Sequence, residues 1–201
     1  MKILHVTSSM SPQWGGPSRA IASVTNALET LGVNCTIFAC EGGRLGEGSV
    51  ETDLSQIQLF KTGLASKFWT GYSSHLSNAI KKAVMSHDIV HIHELWHFPH
   101  YVAYKSAISQ GKPYCITTHG TLSPWALQHK YIRKQIYMRS IQRRILSQAS
   151  YIHAITAQEK QHIKNQGIAA PTVTIPNGVY TETLQYEGEP NILLNRYPDL
   201  K

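Results

Sequence analysis

Short apolar runs alternate with longer stretches of helical periodicity along the whole chain. Ile3 to Thr7 reads as a first strand, and the turn-rich segment Met10 to Pro17 follows it. Ile21, Val24, Leu28 and Leu31 then recur at spacings of three, four and three, with Pro17 suited to a helix start and Gly32 to its exit. Val33 to Cys40 predicts a second strand, Glu41 to Ser49 a glycine-rich loop, and Ile57 to Lys61 a third strand. Leu76, Ile80, Ala83 and Val84 mark the next helix, before a strand at Asp88 to His93, a helix at about Tyr101 to Ser109 and a strand at Tyr114 to Thr118. Trp125 to Ala149 has neither Gly nor Pro and predicts one long helix, although its apolar residues form two stripes instead of one. Two more strands, Tyr151 to Ile155 and Val173 to Ile175, enclose a helix near Gln158 to Gln166.

Strand and helix in alternation predict an α/β domain: a Rossmann-like, doubly wound, mainly parallel sheet of about seven strands with helices on both faces. The pattern fades after Tyr180, so residues 1–180 are expected to form the domain and residues 181–201 a linker. A chain of 201 residues buries about 70% of its unfolded surface and needs no disulfides to fold. Cys35, Cys40 and Cys115 lie in or beside apolar runs without metal-type spacing, which fits buried thiols in a reducing cytoplasm. The first residues are too short an apolar run for a signal peptide.

Nineteen Lys and Arg outweigh twelve Asp and Glu, for a net charge of +7. No acidic residue occurs between Glu94 and Glu159, whereas Lys130, Arg133, Lys134, Arg139, Arg143 and Arg144 all do. This stretch suits phosphate-bearing ligands or an anionic membrane surface. No recognisable nucleic-acid module accompanies it, so nucleic acid is not an expected partner.

Three places can carry chemistry. Gly15 and Gly16 follow the first strand and open a helix, where parallel sheets bind anions on backbone N–H groups. The GxGxxG fingerprint of an NAD site and the Walker A motif are absent. His93-Glu94-Leu95-Trp96-His97 matches HExxH, but zinc hydrolysis needs both histidines on one helical face, and His93 reads as a strand end, with Pro99 disfavouring helical geometry at Phe98. In that strand His91 and His93 share a face while Ile92 points the other way. His119-Gly120-Thr121 stands at the carboxyl end of a strand, where ligands of such sheets bind.

In order, the Gly15-Gly16-Pro17 loop, DIVHIHELW (88–96), THGTLSPWAL (118–127), the basic stretch, YIHAITAQE (151–159) and IPNGV (175–179) resemble the N-terminal domain of family 4 glycosyltransferases. Those enzymes have the GT-B architecture of two facing Rossmann-like domains, and the likeness is greatest to members that build bacterial exopolysaccharides or envelope polysaccharides. The resemblance implies a retaining enzyme that moves a sugar from a nucleotide-sugar donor to a saccharide or lipid-linked acceptor. It implies that Gly15 and Gly16, with Arg19 near the same mouth, approach the donor diphosphate, and that His119 is the catalytic residue beside the transferred sugar. His93, Glu94, Trp96, Gly120 and Thr121 would line the acceptor cleft, and Asn177 and Gly178 would mark the crossing between domains.

Two features depart from the family. Tyr180 stands where Asp usually follows IPNGV, and the donor-gripping motifs of the second domain are not in these residues. The reading is therefore an acceptor-binding half, without turnover when alone, awaiting a C-terminal donor domain. No metal or other cofactor is expected, and the location is cytoplasmic, with peripheral contact at the inner membrane face. The alternatives are a stand-alone glycan- or membrane-binding module, an HExxH zinc hydrolase and an NAD-dependent enzyme. The favoured reading requires the diglycine turn and His119 to bound one hollow.

Overall fold

The computed structural model describes residues 1–12, 15–41, 56–178 and 195–197. Among these residues seven strands form one sheet: β1 (Lys2–Ser9), β2 (Asn34–Cys40), β3 (Ile57–Phe60), β4 (Ile89–His93), β5 (Tyr114–Thr117), β6 (Tyr151–Ala154) and β7 (Thr172–Thr174). Their order is β3-β2-β1-β4-β5-β6-β7, and every pair is parallel. The chain grows outward from β1 in one direction and from β4 in the other, so the switch point lies between those two strands. Most of the loop expected at Glu41 to Ser49, and most of the expected linker at 181–201, lie outside the described residues.

Among the described residues seven α-helices flank the sheet: α1 (Gly16–Thr30), α2 (Ser74–Ser86), α3 (Phe98–Ser109), α4 (Pro124–Gln128), α5 (Tyr131–Tyr137), α6 (Arg143–Ser147) and α7 (Ala157–Asn165). Strand alternation divides the packing. Leu4, Val6, Val90, Ile92, Ile116 and Ile152 face a large core shared with α2, α3 and α6. On the opposite face a smaller cluster of Met10, Ile21, Ala22, Ile37 and Ala39 fills the space under α1.

The structure corrects three sequence expectations. The α1 stripe is not wholly core: Ile21 is fully buried, but Val24 and Leu31 are exposed, because α1 covers only part of its face of the sheet and Val24 walls a cavity there. The helix at Tyr101 starts earlier, at Phe98, with Pro99 in its first turn, where a missing N–H costs nothing. The single helix from Trp125 to Ala149 is broken twice. Lys130 adopts a left-handed conformation with φ 55° between α4 and α5, and a π-turn at Met138–Gln142 separates α5 from α6. That turn explains the two apolar stripes. It shifts the helix phase, so Ile132 and Ile136 before it are exposed while Met138, Ile145 and Leu146 from it onward are buried.

Candidate functional site

Two hollows open around the carboxyl ends of the central strands. The first, about 250 Å³, lies between α1 and the open half of the sheet, and the 175–178 segment closes its lip. Strand register makes its floor. His5 of β1 pairs with His91 of β4, His93 pairs with Thr117 of β5, and Thr117 pairs with His153 of β6. Period-two alternation therefore sets polar side chains from four neighbouring strands on one face.

These side chains form two hydrogen-bonded rows. His5 Nδ1 lies 2.9 Å from His93 Nε2, and His93 Nδ1 lies 3.2 Å from His119 Nε2. In the other row His91 Nε2 is 2.7 Å from the Thr117 hydroxyl, which is 2.9 Å from His153 Nδ1, and His153 Nε2 is 2.7 Å from the Ile175 carbonyl. Because His93 is engaged at both ring nitrogens, in its neutral form one donates and the other accepts. Burial pushes His5 down to about 3 and His119 to about 4, with neighbouring imidazoles adding to both shifts and Glu159 opposing that of His119. Burial first, then adjacent histidines, also holds His91 and His93 well below the usual imidazole range. His5, His91, His93 and His119 are therefore neutral at pH 7 and act as dipoles and hydrogen-bonding groups, not as cations.

The His119 loop is held from behind. The carboxylate of Glu159, 4% exposed, accepts from the Thr118 hydroxyl, from the Gly120 N–H at 2.6 Å and from the Ile155 N–H at 2.6 Å. These contacts fix a turn in which His119 and Gly120 both have positive φ, 47° and 73°. Thr156 caps α7 by accepting from the Glu159 N–H, which places that carboxylate.

The second hollow is a trough of about 730 Å³ beyond the β4 and β5 ends. Trp69, Trp96 and Tyr137 supply aromatic walls, and Lys130, Arg133 and Lys134 supply positive charge. Lys134 Nζ lies 5.6 Å over the Trp96 ring and donates to the Ala126 carbonyl, while Arg133 donates to the Phe68 carbonyl. Glu94 lies on the wall, and the Ser8 hydroxyl donates to it at 2.6 Å, tying the end of β1 to the end of β4. Burial raises the Glu94 carboxyl above the usual range against the hydrogen bonds from Ser8 and Thr7. Glu94 and Trp96 both hold positive φ, 68° and 78°.

The structure thus separates the residues singled out in the sequence. His119, Asn177 and Gly178 share the first hollow, whereas Glu94, Trp96 and Thr121 share the trough. His93, expected with the trough residues, instead lies in the first hollow, because period two turns it to the face opposite Ile92. Gly120 lines neither and serves as a donor to Glu159. Gly15 and Gly16 do open α1, with φ 74° at Gly15 and open space around both. They line neither hollow, so the single hollow expected between the diglycine turn and His119 is not formed by those residues themselves, and Arg19 is exposed outside both. The hollow shared with His119 is instead walled by Ala20, Ile21 and Val24, one turn further along the same helix. The HExxH segment is not helical: His93 ends β4 and His97 precedes α3 in an extended conformation. Sequence reasoning missed His5, Thr117, His153 and Glu159, which become visible only once strand register is known.

The fold matches known proteins. A family model described as Glycosyltransferase Family 4 matches residues 14–183. The chain belongs to glycosyltransferase family 4. Among curated relatives, the GDP-mannose:cellobiosyl-diphosphopolyprenol alpha-mannosyltransferases of Xanthomonas campestris and Xanthomonas oryzae are 25% and 24% identical over 198 residues. Each match covers 94% of this chain and 48% of the relative, so the chain spans about half the length of these enzymes. Among solved structures, Anabaena HepE in complex with UDP-glucose superposes with a TM-score of 0.65 at 16% identity, over 100% of this chain and 50% of that one. A sucrose-phosphate synthase structure from Thermosynechococcus elongatus gives 0.59 at 14% identity, over 92% of this chain and 93% of that one. The seven-stranded sheet is a Rossmann-like domain of the kind that makes up half of a GT-B enzyme.

Proposed function

We propose that this domain is the acceptor-binding half of a retaining glycosyltransferase that extends a saccharide carried on a lipid diphosphate. The single observation behind this reading is the trough. Aromatic walls beside Lys130, Arg133 and Lys134 suit an acceptor whose sugars stack on rings and whose diphosphate meets cations. The name of the Xanthomonas relatives, a mannosyltransferase acting on a cellobiosyl-diphosphopolyprenol, supports the same acceptor class.

The nucleotide-sugar donor would be gripped mainly by a second domain and present its sugar at His119. The Anabaena structure with UDP-glucose supports a nucleotide-sugar donor. In the transfer step the bond from the sugar's anomeric carbon to the donor diphosphate breaks, and an acceptor hydroxyl oxygen forms a new bond on the same face of the sugar. The hydroxyl proton leaves with the departing phosphate. His93 occupies Nε2 of His119, leaving Nδ1 to hydrogen-bond the donor sugar as charge develops. Gly15, Gly16 and Arg19 stand just before the part of α1 that walls the His119 hollow, from where the open backbone at the two glycines is a place for the donor diphosphate to approach, and Asn177 and Gly178 carry the chain toward the second domain. No metal is assigned to the transfer step. Catalysis by positioning needs both halves, so residues 1–201 alone have no turnover.

Among the described residues no helix is long and apolar enough to cross a membrane. Exposed Phe68, Trp125, Ile132 and Ile136 near the trough mouth, with exposed Lys130, Arg133, Arg139, Arg143 and Arg144, support peripheral docking on the anionic cytoplasmic face of the membrane. The test is sugar transfer by the enzyme carrying this domain joined to its donor half, offered short-chain lipid-diphosphate saccharides and a panel of nucleotide-sugars. Turnover that His119→Ala lowers at least about 100-fold is expected. Equal turnover by the variant, or robust turnover by residues 1–201 alone, would overturn the proposal.

A further inference from the structure

Two residues of the HExxH segment, with His100 beyond it, point to an ion site of a different composition. Glu94, His97 and His100 each offer a donor atom within 4.8 Å of the other two. His100 is 1% exposed, and neither of its ring nitrogens has a hydrogen-bond partner among the described residues. A buried imidazole with two unsatisfied nitrogens is a rarity that calls for an occupant. Glu94 is a second anomaly: its carboxylate is 7% exposed, on a backbone with φ 68° that favours glycine. Its Oε2 lies 4.0 Å from His97 Nδ1, too long for a hydrogen bond, and a small closure would bring the two donors to the separation of neighbouring ligands on one metal.

We propose that Glu94, His97 and His100 bind a zinc-class divalent cation on the wall of the trough. Two imidazoles and one carboxylate are a donor set that zinc takes with a further open position. A neutral imidazole keeps one N–H and one lone pair, and it is the lone pair that a metal takes, so the unpartnered ring of His100 has a donor atom to give. The Ser8 hydroxyl orients the carboxylate as an outer-shell partner. Glu94 and His97 line the trough and His100 does not, so the remaining coordination position turns toward the trough. Lys134 lines the same trough, and its positive charge there favours an anionic group as the final ligand.

This site differs from an HExxH centre, because His93 is engaged by His5 and His119 and takes no part. His5, His91 and His93 also bring donor atoms within 4.8 Å of one another, but His93 has both nitrogens engaged, and His5 and His91 each commit one to a hydrogen bond. The proposal needs only the metal, and it stands or falls independently of the transferase reading.

The test is a zinc titration of chelator-stripped protein against a chromophoric competitor, repeated with cobalt to read the coordination spectrum. One tight equivalent is expected, together with a cobalt band intensity of low coordination number. His100→Ala and Glu94→Gln should each weaken binding more than about tenfold, since even outer-shell changes reach that size. If His100→Ala does not fold, Glu94→Gln and the wild-type cobalt spectrum decide. No tight equivalent, or one that survives Glu94→Gln and disappears with His91→Ala, would overturn the proposal.

Discussion

Acid should destabilise this domain steeply, and the size of the effect follows from its buried histidines. His5, His97 and His119 are held at about 3, 4 and 4 in the fold, against an ordinary imidazole value of 6.5. A lowered folded value means that, below 6.5, the unfolded chain takes up protons that the native chain refuses. Stability is therefore present above that value and lost as pH falls through it toward the folded values. Between about pH 7 and about pH 5.5 each such group removes about 1.3 kcal/mol, so these three remove about 4 kcal/mol. His91, His93 and His100 shift in the same direction. Glu94, raised by burial, works the opposite way, but it is one group against six. A loss of about 4 kcal/mol is a large part of the 5–15 kcal/mol that ordinarily holds a domain folded. Urea denaturation followed by tryptophan fluorescence at the two pH values measures it directly. The midpoint should fall sharply in acid, and replacing the fully buried His5 with Gln should remove about one proton from the uptake on unfolding. A midpoint that stays level or rises on acidification would refute the account of a neutral histidine floor.

Three further outcomes are expected. Glu159→Gln turns an amide N–H toward a backbone donor that a carboxylate oxygen now receives, either Gly120 or Ile155; it should cost about 1–3 kcal/mol of stability and, in the enzyme with both halves, lower kcat more than it raises KM. Equal effects on both parameters would argue against a role for Glu159 in placing His119. Thr156→Ala removes the hydroxyl that caps α7 and should cost about 1 kcal/mol by thermal or urea melting. Ile92→Ala, at a fully buried position in the central strand, should cost about 2–5 kcal/mol by the same assay; a loss under about 1 kcal/mol would mean that the sheet is not packed as described.

The sheet was largely legible from sequence because each strand is a short apolar run bounded by turn residues, and crossover helices leave a parallel order as the natural solution. The helix breaks were less legible. The left-handed turn at Lys130 uses no glycine, and a π-turn leaves its mark only as two apolar stripes where one was expected. The split of the site into two hollows was hidden for a different reason. Sequence shows that His91 and His93 share a face, but only register shows that His5, Thr117 and His153 join them and draw His93 away from Trp96. Glu159 looked like an ordinary acid in a first helical turn, and its three acceptor bonds depend on the fold bringing β5 and α7 together. The diglycine turn was placed correctly at the start of α1, but the wall opposite His119 is one turn further along that helix.

The most direct test of the central claim is equilibrium binding of a short-chain lipid-diphosphate disaccharide to this domain, in chelator-treated protein and at several salt concentrations. Saturable one-to-one binding that quenches tryptophan fluorescence from the trough is expected. Arg133→Ala and Lys130→Ala should weaken it and flatten its salt dependence, and the same disaccharide without its diphosphate should bind much more weakly. Equal affinity for the two ligands, or affinity untouched by either substitution, would contradict a trough built to receive a diphosphate-borne acceptor.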